Sequence, residues 1–255
     1  MRETREQLEH ELDLALAAEL QSALLPDRRC LGSTRPFAAA RNRMCGSVGG
    51  DFYDFIRLND DQYVIVIGDV VGHGIRAALL MAQIMGYLHS DFPHRTQPIR
   101  VVRELNRWLI NLGERIGTVV PCSLFYSVLD VPSRMLLSCN AGHPRAFVCD
   151  RDTCSVLQWG TESFLLGIEE FEPEESCMTF ESSSRMVLYT DGVTDATGLD
   201  RERFGESRLH EVLNAHADDS PDACAEAVFA AVSEHRNGAD QDDDETILII
   251  DSMDS

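Results

Sequence analysis

Four short stretches of the sequence put an aspartate where an apolar run meets a turn. VGGDFYDF sets Asp51 behind two glycines, and VIVIGDVVGHG sets Asp69 at the end of an apolar run. MVLYTDGVTDA puts Asp191 at a second such end, with Gly192 behind it, and DQDDDETILIID puts Asp243 and Asp244 just ahead of a third. Strand ends are rigid and hold carboxylates in place, and glycine lets the backbone approach a ligand closely. One acid beside a strand is ordinarily a solvated turn residue. Four together are different, because carboxylates about 4 Å apart repel by roughly 1 kcal/mol per pair in water and about 4 kcal/mol at an effective dielectric near 20. Divalent cations reverse that sign, and oxygen-only donor sets suit magnesium or manganese rather than zinc. Asp69 follows Asp51 by 18 residues, Asp191 follows Asp69 by 122, and Asp243 follows Asp191 by 52. Only the fold can bring them together.

The turn after Asp69 invites a second reading. Gly72, Gly74 and Ala77 satisfy the G-x-G-x-x-A spacing of a dinucleotide-binding turn. In such a site glycine N–H groups face a pyrophosphate, and Asp69 just ahead of them would repel it. The second strand ending in an acid about 20 residues later is also absent. The glycines are read instead as making room at a metal-carrying turn. His73, between them, is a candidate general acid, or a structural histidine.

Elements must position these acids. Residues 3–25 read as a helix with Leu8, Leu12, Leu16, Leu20 and Leu24 at every fourth position, stopped by Pro26. That stripe fits pairing with a second copy, or packing on the chain's own domain. Strands are expected at Gln62–Gly68, Cys122–Asp130, Met135–Asn140, Arg145–Cys149, Met178–Glu181, Arg185–Thr190 and Thr246–Asp251. Pro132-Ser133 marks a hairpin, so the middle of the chain reads as an antiparallel meander. Helices bracket it. Ile75–Ser90 is apolar on most sides and is expected to be sandwiched, and Val102, Leu105, Leu109 and Leu112 mark one face of another. A third starts with Ser220 as N-cap and Pro221 at its first position, with Cys224, Val228, Ala231 and His235 facing inward. Helix pairs around a strand-rich centre make a layered α+β fold.

The bulk numbers exclude several classes. The chain has 255 residues and a net charge of −21, so nucleic acid and anionic membrane are unsuitable partners. No apolar run reaches the 18–20 or so residues of a membrane span. The first twenty residues are too charged for a secretory leader. The eight cysteines, Cys30, Cys45, Cys122, Cys139, Cys149, Cys154, Cys177 and Cys224, form no C-x-x-C pair. They read as reduced, mostly buried small hydrophobes in a cytoplasmic chain.

VGGDFYDF, GDVVGHGIRAALLMA, NAGHPRAF, LLGI, LYTDGVTDA, RFGESRL and QDDDETILII stand in one order along the chain. That ordered set resembles the PPM-type metal-dependent serine/threonine phosphatases, in their bacterial SpoIIE/RsbU-like branch, from about Leu20 to Asp251. AAELQSALLP resembles the linker helix that precedes the domain in that branch. The resemblance implies a central β-sandwich of two antiparallel sheets flanked by antiparallel helix pairs, in α-β-β-α layers. It implies an N-terminal linker helix over 1–28 and a phosphatase domain over 29–255. It also implies two Mn2+ or Mg2+ ions and hydrolysis of phosphoserine or phosphothreonine by a metal-activated water, with Asp69 and Asp191 as the catalytic acids. Asp69 would bridge the ions, with the Val70 carbonyl, Asp191, Asp243 and Asp51 as further ligands. Asp195 and Asp244 would stand in an outer shell or serve a third ion. Val71, Met44-Cys45 and Leu165 depart from the usual pattern without removing a ligand. Arg41 and Arg43 are candidates for the substrate phosphate, and His143 for fixing a strand turn. The implied partners are a phosphorylated STAS-type anti-sigma-factor antagonist as substrate, an upstream sensor or receiver domain, and a second copy through the N-terminal helix. The competing expectation is a non-catalytic module that binds a phosphoprotein on the same fold.

Overall fold

A computed structural model of the chain describes residues 2–26, 37–90, 93–150, 155–159 and 163–252. The expected boundary between residues 28 and 29, and Cys30 and Cys154, lie outside the described residues. The elements run α1 (Arg2–Leu24), β1 (Ala38–Arg43), β2 (Asp51–Arg57), β3 (Gln62–Val70), α2 (Ile75–His89), α3 (Pro98–Ile116), β4 (Cys122–Asp130), β5 (Met135–Ala141) and β6 (Ala146–Asp150). They continue with β7 (Ser155–Trp159), β8 (Glu175–Thr179), β9 (Ser184–Tyr189), α4 (Asp191–Asp195), α5 (Gly205–Ala215), α6 (Pro221–Arg236) and β10 (Glu245–Asp251).

The strands form two five-stranded antiparallel sheets, ordered β1-β10-β9-β6-β7 and β2-β3-β4-β5-β8. Three apolar layers follow from this. Ile65 and Ile67 of β3 face Leu248 and Ile250 of β10 and Met186 and Leu188 of β9 between the sheets. Val64 and Val66, on the other face of β3, pack under Met81, Ile84 and Met85 of α2 and Val102 and Leu105 of α3. On the far side Val187 and Ile249 pack under Leu209 of α5 and Val228 and Val232 of α6. Central strands covered on both faces read as continuous apolar runs, as VIVI in β3 does. The expected α-β-β-α layering is borne out.

The helix ends are set locally. Ser220 Oγ accepts from the Ala223 N–H at 3.2 Å and Pro221 opens α6, as expected. The buried face of α6 is Cys224, Ala225, Val228, Phe229, Val232 and Arg236, which leaves Ala231 and His235 at its flank rather than inward. Helix α2 buries Ala77, Met81, Ile84, Met85 and Leu88 but leaves Ile75 and Leu79 exposed, so it lies on one sheet rather than sandwiched. The hairpin at Pro132-Ser133 joins β4 to β5, and Ser133 Oγ donates to Asp130 Oδ1 at 2.6 Å. The strand expected at Met178–Glu181 lies instead at Glu175–Thr179, and β1, β2, β7, α4 and α5 were not expected. Of the six described cysteines, Cys122, Cys139, Cys149 and Cys224 are buried and Cys45 and Cys177 exposed, all free thiols.

Helix α1 packs beside α2, with four leucines of its stripe turned to solvent. Leu12 is 59% exposed, Leu16 50%, Leu20 71% and Leu24 40%. The buried side chain is Gln21, whose Nε2 donates to the Gly49 carbonyl at 2.7 Å while its Oε1 accepts from the Gly49 N–H at 3.0 Å. The segment thus packs on its own domain, one of the two expected arrangements, while Leu12, Leu16, Leu20 and Leu24 of its stripe stay exposed. A glutamine amide, not the stripe, ties the helix to the sandwich.

Candidate metal centre

Strand register closes the first gap between the acids. Strands β2 and β3 pair antiparallel, with Asp51 opposite Asp69. On the other sheet β9 and β10 pair with Tyr189 opposite Ile247, and the Thr190 N–H donates to the Thr246 carbonyl at 3.0 Å. Asp191 then follows Thr190, and Asp243 and Asp244 precede β10, at the same end of their sheet. Stacking the sheets brings the two pairs together at one end of the sandwich.

Their electrostatics show how close they come. The Asp69 carboxyl is pushed up from 3.8 to about 7 by burial, then by the charges of Asp191, Asp243 and Asp244. Burial followed by the Asp69 charge raises Asp51 well above the ordinary carboxylate range, against hydrogen bonds from Thr246 and Thr190 that pull it down. Asp191 is raised by burial and Asp195, and Asp243 by burial together with Asp191, Asp244 and Asp195. Asp51 and Asp244 are buried, Asp69 is half-buried, and Asp191 and Asp243 open to solvent, so the acids run from the floor of the site to its mouth. Among the described residues, no Arg, Lys or His forms an ion pair with Asp51, Asp69, Asp191, Asp243 or Asp244.

Backbone geometry leaves space around them. A Cβ on Gly50 would sit 2.5 Å from the Val70 carbonyl oxygen and 2.9 Å from Asp69 Oδ1. One on Gly192 would run into the Asp244 backbone, and one on Gly49 into the Asp244 carboxylate. Glycine is required there because the chains pass too close for a side chain. The glycines at 72 and 74 adopt positive φ, 109° and 76°, and serve the turn itself.

Asp51 is held by residues that sequence reasoning missed. Thr190 Oγ1 donates to Asp51 Oδ2 at 2.8 Å, and Thr246 Oγ1 donates to the same oxygen at 2.6 Å. Asn42 Nδ2 donates in turn to Thr246 Oγ1 at 2.7 Å. Both threonines adjoin an acid already singled out, Thr190 beside Asp191 and Thr246 two residues past Asp244. That adjacency is the signal that could have found them.

The other candidates divide. Both Asp244 oxygens are engaged, accepting from the Cys45 and Gly50 N–H groups at 2.8 Å each, so this carboxylate braces the loop that carries Asp51. Asp195 pairs with Arg203 at 2.9 Å. His73 is exposed and lines a groove of about 180 Å³ with Val70, Gly72 and Arg76. Arg41 and Arg43 do not reach toward an incoming phosphate. Arg41 pairs with Asp222 and Glu226 of α6 at 2.7 Å each. Arg43 donates to Ser233 Oγ at 3.1 Å and lies 4.9 Å over the Phe229 ring.

The donor set fits hard divalent ions: oxygen only, carboxylate-rich, and short of cationic partners. Among the described residues no three His, Cys, Asp or Glu side chains are grouped tightly enough to hold an ion as they stand.

Comparison with known proteins agrees with this fold. The family model for Stage II sporulation protein E (SpoIIE) matches residues 59–252. The phosphoserine phosphatase RsbP of Bacillus subtilis (strain 168) is 26% identical over 80% of this chain, and the match covers 49% of RsbP. The chain thus spans about half the length of that curated relative. Among solved structures, the SiaA-PP2C domain of Pseudomonas aeruginosa superposes with a TM-score of 0.83 at 24% identity, covering 98% of this chain and 99% of that one. RsbX in complex with magnesium superposes with a TM-score of 0.57 at 15% identity, over 83% of this chain and 92% of that one. Both show the same two-sheet fold.

Proposed function

This chain belongs to the SpoIIE family, and we propose that it is a metal-dependent protein phosphatase acting on phosphoserine or phosphothreonine. The observation that carries this reading is the Asp69 carboxyl, pushed to about 7 by burial and by acids from the opposite sheet, with no ion pair to Asp51, Asp69, Asp191, Asp243 or Asp244 among the described residues. Such a cluster is costly unless divalent ions neutralise it. RsbP, a relative over most of this chain, is a phosphoserine phosphatase, and RsbX shares the fold and was solved with magnesium.

Two bound Mn2+ or Mg2+ ions would supply an acidified water and neutralise charge on the phosphoryl oxygens. Asp69, the Val70 carbonyl, Asp191, Asp243 and Asp51 are the residues that would hold them. Thr190 and Thr246 orient Asp51, and Asp244 orients the loop ahead of it. Asp195, within electrostatic reach of Asp191 and Asp243, sits in the outer shell. His73, exposed beside the turn, would give a proton to the leaving alkoxide.

The same reading covers the rest of the molecule. The chain would divide into a linker segment over 1–28, which carries α1, and a phosphatase domain over 29–255. The exposed leucine stripe of α1 meets a second copy or an upstream sensor or receiver domain. The substrate is a phosphorylated STAS-type antagonist in partner switching. The place of action is the cytoplasm, in keeping with free thiols.

The second reading on the same fold is a module that binds a phosphoprotein without hydrolysing it. Phosphate release decides between the two. Purified protein with manganese should release phosphate from p-nitrophenyl phosphate and from a phosphorylated STAS protein, and Asp69→Asn should abolish it. Phosphoprotein binding without release, or turnover that survives excess chelator, would contradict the phosphatase reading.

A further inference from the structure

We propose that His143 is a positioning residue: its imidazole ties β4, the strand paired with the one carrying Asp69, to the end of β9 that leads into Asp191, and so sets the spacing of the metal ligands. The inference rests on the metal-centre reading above.

His143 lies between β5 of one sheet and β6 of the other, at the end of the sandwich where the acids meet. The turn there closes without the imidazole. Asn140 Nδ2 donates to the His143 carbonyl at 2.9 Å, the His143 N–H donates to Asn140 Oδ1 at 2.8 Å, and Gly142 supplies the positive φ of 68°. The ring is therefore surplus to the turn, yet the residue is only 5% exposed. A polar ring is not buried cheaply without partners.

Its contacts say what it does. Nδ1 lies 2.9 Å from Ser123 Oγ. Ser123 is the β4 residue directly opposite Asp69 in the β3–β4 register. On its other side the ring interacts with the backbone of Tyr189, the last residue of β9 and two before Asp191. That second contact is electrostatic rather than a hydrogen bond, for Nε2 forms none among the described residues. Burial drives the ring's pKa down to about 3, so it stays neutral and adds no charge beside the ions. One neutral ring thus touches a strand from each sheet, just behind a proposed ligand on each. Residues that orient metal ligands in this way are typically worth about 10–100-fold in metal affinity.

The test is manganese titration calorimetry on the full chain after metal removal, with the melting temperature of the metal-free protein read in parallel. Ser123→Ala and His143→Ala should each weaken manganese binding by about 10-fold or more. The double variant should be no weaker than the worse single one, because both break one connection. His143→Gln, which can still bond Ser123, should recover part of the loss. Ser123→Ala removes a single oxygen and keeps the test open if His143→Ala fails to fold. Manganese affinity within about twofold of the wild type alongside a lowered melting temperature would reduce His143 to a packing role and overturn the inference, as would additive losses. A wild-type chain that binds no manganese would contradict the metal centre itself, and that result appears before any substitution is made.

Discussion

Asp51 shows how much of the centre depends on residues that never touch an ion. Its Oδ2 takes hydrogen bonds from two threonine hydroxyls on the opposite sheet, which fixes the carboxylate before any ligand arrives. Thr190→Val removes one donor and keeps the side-chain shape. Calorimetry should show manganese affinity lowered by roughly 10-fold, with Thr190→Ser close to the wild type. Asp69 makes a separate prediction through pH. Its folded pKa of about 7 lies above the ordinary 3.8, so the metal-free fold loses stability from this group as pH rises between those values. His143, lowered to about 3, acts with the opposite sign over part of that range, so a comparison with Asp69→Asn is needed to isolate Asp69. Without metal, Asp69→Asn should melt at nearly the wild-type temperature near pH 4 and progressively above it toward pH 7. Saturating manganese should reverse the order. The acids and their glycines were legible in the sequence because each interrupts an apolar run. The threonines were not, because a hydroxyl inside a strand looks like any other β-branched residue.

At the scale of elements, the central strands announced themselves and the edges did not. Strands β3, β4, β9 and β10 are apolar on both faces and were located to within a residue or two. The missed strands β1, β2 and β7 are all sheet edges, and the misplaced β8 is the fourth. Edge strands carry charge that blurs periodicity, as AAARNR and DFYDFIR do. Helix α1 gives the reverse lesson. Its leucines are conspicuous in sequence, yet its attachment is Gln21 on the Gly49 backbone, next to the loop that Asp244 braces. Gln21→Ala would leave two buried backbone groups without partners, at about 1–3 kcal/mol. The melting temperature should fall by about 2–10 °C, and amide exchange should quicken at Gly49 and along α1. Leu12→Asp with Leu16→Asp should instead leave the fold's stability nearly unchanged and alter self-association, read by native mass measurement. Unchanged association in that variant would count against pairing through the stripe.

For the whole molecule, the charge of −21 is unevenly spent. Arg185 of β9, buried against Asp251 at 2.6 Å, donates to the His216 and Asp219 carbonyls between α5 and α6, and Arg41 pairs with Asp222 and Glu226 of α6, so these cations bind the outer helix layer to its sheet. None pairs with the acids at the end of the sandwich. The layered fold was legible from patterning and motif order, but the convergence of distant aspartates was not. It depends on which strands pair and which sheets stack, and spacing along the chain records neither. That convergence is the central claim, and anomalous diffraction from crystals soaked in manganese tests it most directly. The account predicts two manganese peaks at the end of the sandwich, with Asp69 between them and Asp191, Asp243 and Asp51 within ligating reach directly or through water. Crystals saturated with manganese that show no peak between Asp69 and Asp191 would contradict it.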